Sequence, residues 1–299
     1  MSIRRTIAAG TAAIISVGAL TACGAYDDAQ DGAIDENAPI RIGTTDSQKE
    51  AWQVFEDKAK EEGIELDIVD FSDYNTPNDA LDQGQLDVNL FQHLKFLAAY
   101  NAGSDADLTP VGSTEVIPLA LFWKDHDSLD GIEGQSVAIP NDSTNQGRAI
   151  NVLKQAGLVE LKGESLLDPA PSDIDTAASK VSVTPVDAAQ SSAVYGEGKP
   201  AIINNSFLER AGIDPNSSIY ADDPSKPEAE PYINVFVTKA ANKDDERIAK
   251  LVEIWHSDEV QAANDRDSKG TSVSVDRPAD ELQEILDRLV EDQKNADNK

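Results

Sequence analysis

Residues 64–100 read IELDIVDFSDYNTPNDALDQGQLDVNLFQHLKFLAAY, and their rhythm decides the fold. Leu66 to Phe71 reads as a strand. Thr76 and Pro77 then open a short helix, with Thr76 as N-cap and Pro77 at the first helical position, and Gly84 stops it. Leu86, Val88 and Leu90 face one way while Asp87, Asn89 and Phe91 face the other, which is strand periodicity, and Leu94 to Tyr100 resumes a helical pattern. Upstream, Ile40-Arg41-Ile42 predicts another strand, and Gln48 to Lys60, with Trp52 and Phe55 on one side, an amphipathic helix ended by Gly63. Strands alternating with helices at these lengths imply a mostly parallel sheet covered on both faces.

The same rhythm restarts at Ser136. Val137-Ala138-Ile139 is a buried-strand run, Asn141 to Thr144 a junction, and Ile150, Leu153 and Ala156 the apolar side of a helix closed by Gly157. Ala201-Ile202-Ile203 and Tyr232 to Thr238 are later strands, and Ile248 through Trp255 is helical by spacing. Two extended apolar runs, Val116 to Trp123 and Tyr232 to Thr238, fall where crossover strands would join two lobes. The expected division is 39–120 plus 236–299 for lobe 1 and 121–235 for lobe 2, an α/β architecture with a cleft between the lobes. Leu282, Ile285, Leu286 and Leu289 predict one further amphipathic helix before a charged tail.

The N-terminus has the form of an export signal: Arg4-Arg5, an apolar run from Ile7 to Leu20, then Leu20-Thr21-Ala22-Cys23-Gly24. That run is too short for a stable membrane span. Leu-Thr-Ala-Cys resembles a bacterial lipobox, in which the cysteine is diacylated and the signal cleaved before it. Residues 1–22 are therefore expected to be a lipoprotein signal peptide, Cys23 the lipidation site and membrane anchor, and 23–38 a flexible acidic tether. Cys23 is the chain's one cysteine, so no intramolecular disulfide is possible. The alternative reading of a lone cysteine is a small buried hydrophobe.

A formal charge of −30 argues against binding nucleic acid or anionic lipid by charge. The acidic residues are dispersed: Glu56-Asp57, Glu61-Glu62, Asp222-Asp223 and Asp244-Asp245-Glu246 read as solvated faces, and no calcium-loop pattern occurs. Three histidines without zinc spacing give no support to a metal, and no nucleotide cofactor loop, Walker loop or nucleophile elbow is found. No cofactor is expected.

In open α/β sheets ligands bind beyond the carboxyl ends of strands. Three polar clusters fall there: Phe91-Gln92-His93, Asn141 to Arg148, and Asn204-Asn205. Arg148 is expected within the first turn or so of its helix, where the dipole disfavours a cation, so an anionic ligand would offset the cost. A guanidinium fork suits a carboxylate. The alternative is an exposed arginine, or one paired with an aspartate such as Asp142. Asn145 and Asn204 offer donor and acceptor to an α-amino and α-carboxylate pair, or are ordinary cap and turn residues. His93 is read as a hydrogen-bonding cleft residue, and Tyr74 with Phe91 as aromatic walls for an apolar or thioether side chain, or as core.

At these clusters the chain resembles the methionine-binding, NlpA-type lipoproteins. The resemblance is carried by Asp73-Tyr74 with Pro77 to Leu81, Gly84 to Asn89 with Phe91-Gln92-His93, Ile139 to Arg148, Ile203-Asn204 and Pro231-Tyr232-Ile233-Asn234, in order over roughly residues 39 to 270. It implies a two-lobed, periplasmic-binding-protein-like fold and a lipid-anchored protein on the extracytoplasmic face of the membrane. Such a protein captures methionine or a close relative for the permease and ATPase of an ABC importer and performs no catalysis. The resemblance places Tyr74, Phe91 and His93 around the ligand side chain and Asn145, Arg148 and Asn204 on its backbone groups. At the first strand-to-helix junction family members commonly carry small residues, often with Pro or His. Here Thr44 to Lys49 includes Asp46, which bears on the solute that fits. Two other functions are weighed: a secreted hydrolase or transferase on a similar fold, for which no nucleophile and base pair is found, and an adhesion or signalling lipoprotein.

Overall fold

A computed structural model describes residues 34–163 and 168–297. The expected signal peptide, Cys23 and most of the tether lie outside the described residues. The strands are β1 (Ile40–Thr44), β2 (Leu66–Asp70), β3 (Val88–His93), β4 (Leu108–Val116), β5 (Ala120–Phe122), β6 (Ser136–Pro140), β7 (Ser182–Val186), β8 (Ala201–Ile203), β9 (Tyr220–Ala221), β10 (Ile233–Lys239) and β11 (Val273–Ser274). The α-helices are α1 (Glu50–Glu61), α2 (Pro77–Asp82), α3 (Leu94–Ser104), α4 (Ser143–Gln155), α5 (Ser191–Gly196), α6 (Glu246–Trp255), α7 (Asp258–Ser268) and α8 (Ala279–Asp297).

Two sheets form, in the orders β11-β4-β10-β3-β1-β2 and β7-β6-β8-β5-β9. In the first, β1 is parallel to both β2 and β3, whereas β10 runs antiparallel between β3 and β4. The second repeats the arrangement: β6 is parallel to β7 and β8, and β5 is antiparallel to β8 and β9. The antiparallel strands β5 and β10 adjoin the places where the chain changes sheet. Within the described residues it passes to the second sheet between Val116 and Ala120 and returns between Ala221 and Ile233.

Apolar clusters cover both faces of each sheet. One face of the first sheet carries Trp52, Phe55, Phe236 and Trp255, whose rings meet edge-on or tilted at 5.2–6.1 Å; such pairs add to the burial itself. The other face packs Leu94 and Leu97 of α3 with Leu282, Ile285, Leu286 and Leu289 of α8. On the second sheet Leu121, Ile139, Ile150 and Leu153 fill one side, and Phe122, Phe207 and Leu208 the other.

Several local expectations shift. The helix expected from Gln48 begins at Glu50, with no side-chain cap from Lys49; Asp267 of α7 instead accepts the Glu50 and Ala51 amides at 3.2 and 2.8 Å. Thr76 precedes α2 with Pro77 at the first position but makes no capping bond, its backbone being already helical. The outward-facing polar set of β3 is itself buried. Asn78, Asn89 and Gln92 join side chain to side chain at 2.6–2.9 Å, so the amides satisfy one another beneath the strand. No described helix is long and apolar enough to cross a membrane.

Candidate functional site

A cavity lies where β3, β8 and α4 end or begin, between the two sheets and against the segment that joins β4 to β5. Tyr74, Phe91, His93, Asn145, Arg148 and Asn204 all line it, together with Phe96, Ile117, Ser206 and Asn234. Side chains from both sheets' elements therefore share one recess, the arrangement expected of a cleft that grips a small polar solute.

The aromatic end is built by chain order. Tyr74 stands before α2, Phe91 in β3 and Phe96 in the first turn of α3. Tyr74 meets Phe91 at 5.9 Å, Phe96 at 6.1 Å and Phe207 at 5.0 Å, and Phe91 meets Phe96 edge-on at 5.8 Å. Burial pushes the Tyr74 hydroxyl well above its ordinary range, so it stays protonated.

The polar end begins with two helix caps. His93 Nδ1 accepts the Phe96 amide at 3.1 Å and caps α3, while Asp142 Oδ1 accepts the Asn145 amide at 2.9 Å and caps α4. With Nδ1 accepting, His93 carries its proton on Nε2, which meets Asn145 Oδ1 at 3.4 Å and bridges the two helices. Burial, then the nearby Arg148 and Lys95 charges, push the His93 pKa down to about 3, so the ring is neutral at physiological pH. Asn145 also donates to Asp142 at 2.9 Å and accepts from Asn204 Nδ2 at 3.0 Å. Asn204 Oδ1 is buried with no partner among the described residues, which leaves an acceptor at the cavity.

Arg148 departs from its expected setting. It is the sixth residue of α4 rather than part of the first turn, so the helix dipole acts on it weakly. The amide of Asn145 is already bound by Asp142 and so is not free for an anion. The guanidinium pairs not with Asp142 but with Asp222: Nε reaches Oδ2 at 2.7 Å and Nη2 reaches Oδ1 at 3.2 Å. Nη2 also donates to the Ile117 carbonyl at 2.8 Å, and the group lies 4.1 Å over the Tyr232 ring. These bonds use Nε and Nη2. Gly147 fits a close approach beside it: a Cβ there would stand 3.1 Å from the backbone of Asp168, whose carboxylate pairs with Lys95, so a larger residue would need that segment to shift by a few tenths of an ångström.

Asp46 does not line this cavity. It lines an adjoining recess with Lys49, Glu115 and Asn264 that shares Phe91, Ile117, Ser206 and Asn234 with the first. Burial raises its pKa, but Lys49 at 2.7 Å and bonds from Thr44 and Trp52 more than offset this and hold it below the ordinary range. Phe96 and Asn234 are not singled out by the sequence, and Asp222, read there as part of a solvated acidic face, is instead largely buried against Arg148. Phe96 reads as one more apolar residue of α3, and Asn234 sits in the Pro231–Asn234 motif without a distinguishing neighbour. Asp222 is 74 residues from its partner. No cluster of three or more potential metal ligands occurs among the described residues.

A family model described as NlpA lipoprotein matches residues 40–275. The D-methionine-binding lipoprotein MetQ of Salmonella typhi is 33% identical over 273 residues, covering 89% of this chain and 96% of that protein. A nutrient-binding protein from Burkholderia cenocepacia, solved bound to methionine, superposes with a TM-score of 0.72 at 31% identity, over 79% of this chain and 99% of that one. The substrate-binding protein of a methionine transporter from Streptococcus pneumoniae gives a TM-score of 0.73 at 26% identity, over 79% and 95% of the two chains.

Proposed function

Because the chain belongs to the NlpA lipoprotein family, we propose that it is an extracytoplasmic solute-binding lipoprotein that captures methionine or a close relative for an ABC importer. The observation that carries this reading is the shared cavity, with an aromatic box of Tyr74, Phe91 and Phe96 at one end and a cluster of Asn145, Arg148 and Asn204 at the other. The box suits a flexible thioether chain, since sulfur packs favourably at ring edges. The cluster suits amino-acid backbone groups, with Arg148 for the carboxylate and the unpartnered Asn204 Oδ1 for the ammonium. His93 joins the two ends. The same proposal includes a diacyl anchor on Cys23, transfer of the solute to a permease and its ATPase, and two lobes divided close to the expected 39–120 plus 236–299 and 121–235, with Ala120 going to the second and 233–235 to the first by the sheets they join. No chemical step is part of it.

The test is ligand identity. Protein purified without added amino acid and then denatured should release methionine, identified by mass spectrometry. The emptied protein should gain about 2.7 kcal/mol of stability when methionine is present at roughly 100 times its dissociation constant. A melting temperature that responds to no amino acid would overturn the reading. A response to a different amino acid would retain the binding role and replace the ligand.

A further inference from the structure

Of the described side chains lining the cavity, Arg148 alone carries a formal charge, since burial and neighbouring cations keep His93 neutral. That charge is cancelled from behind. Asp222 holds Nε at 2.7 Å and Nη2 at 3.2 Å, and its Oδ1 also accepts the Leu119 amide at 2.8 Å. Both side chains are largely withdrawn from solvent, 6% exposed for Arg148 and 16% for Asp222, so water screens the pair poorly. The neighbouring cations are cancelled too: Lys95 meets Asp168, and Lys49 meets Asp46. With Arg148, Lys95 and Lys49 each paired to a carboxylate, a solute enclosed in the cavity meets a guanidinium edge and amide groups for directional bonding but no unpaired positive charge from these three.

We propose that Asp222 is the residue that sets charge selectivity: by neutralising Arg148 it makes the cavity favour a net-neutral zwitterionic amino acid over a monoanionic carboxylic acid of the same shape. A zwitterion brings its carboxylate to the guanidinium and its ammonium to Asn204 Oδ1, and adds no net charge to the closed site. An acid lacking the ammonium leaves one uncompensated negative charge in a poorly hydrated space, which is costly. Without the Asp222 charge, Arg148 alone would balance that acid, and the zwitterion would lose its advantage.

This inference rests on the amino-acid reading above, and the experiment separates the two. Calorimetric titrations compare methionine with its des-amino acid, in which hydrogen replaces the α-amino group, on wild type, Asp222→Asn and Asp222→Glu. Wild type should prefer methionine, Asp222→Glu should keep that preference, and Asp222→Asn should narrow it by about tenfold or more, a modest share of a close charge interaction. A role confined to holding Arg148 in place would weaken both ligands together and leave their ratio unchanged; an unchanged ratio in Asp222→Asn overturns the inference alone. Failure of wild type to bind any amino acid overturns the functional reading and this inference with it; should it bind another amino acid, that one and its des-amino acid take the place of the methionine pair. Should Asp222→Asn not fold, Asp222→Ser carries the same comparison: a preference narrowed by about tenfold or more supports the inference, and an unchanged ratio overturns it.

Discussion

Arg148 shows how one residue can be placed by sequence and yet be set differently by the fold. Its type and its position after a strand end mark it for a carboxylate, and it does line the cavity. A cation at a helix start would gain stability on removal. Here the guanidinium is instead buried in a pair with Asp222 and stacked on Tyr232, which reverses that expectation for the unliganded protein. Arg148→Ala should destabilise the empty protein by about 3 kcal/mol, because breaking a buried pair strands the remaining charge. The retained Leu119 amide bond keeps the effect toward the lower end. Urea unfolding without ligand measures this, and an unchanged midpoint would show that Asp222 finds solvent or another partner. Asp222 itself was illegible in the sequence, since a pairing across 74 residues leaves no local periodicity.

At the scale of elements, the periodic segments were legible and the irregular ones were not. The alternation around β3 and the apolar face of α4 predicted these elements because one buried face imposes its period on the sequence. β9 and β11 are two residues each, too short to carry a period. The start of α1 was misplaced because its cap comes from Asp267, far along the chain. α8 was legible from its leucine spacing and lies beyond the matched family segment, which ends at residue 275. It docks on α3, and Arg277 just before it and Arg288 within it both reach Glu230, at 2.8 and 2.6 Å. Leu286 is 2% exposed, so Leu286→Ala should cost about 2–5 kcal/mol by opening a cavity. Arg288→Ala, which breaks a half-exposed ion pair, should cost under about 1 kcal/mol. Chemical denaturation of both variants checks the order; equal effects would mean that α8 is held by its charges rather than its apolar face.

The whole molecule carries a net charge of −30, and that excess works against compactness. Raising sodium chloride from about 0.1 M to about 1 M shortens the screening length from roughly 10 Å to roughly 3 Å. Relief of self-repulsion should outweigh the loss of exposed ion pairs, each of which contributes little. The melting temperature should therefore rise across that range, and a fall would assign a larger stabilising share to the surface pairs than their exposure suggests. The placement of Arg148 has a further consequence at this scale. It touches both segments through which the described chain passes between the sheets, the Ile117 carbonyl on the outward path and the Tyr232 ring on the return. A parting of the sheets would turn about those two segments and leave Arg148 near the pivot, and it would have to break the bond of 3.3 Å from Asn75 to Asp187 between the two halves. On the amino-acid reading proposed above, a solute would then dock its carboxylate while the sheets are apart. Its side chain would be enclosed by the closing of the sheets, and stopped-flow binding should then show a fast encounter followed by a slower phase independent of ligand concentration.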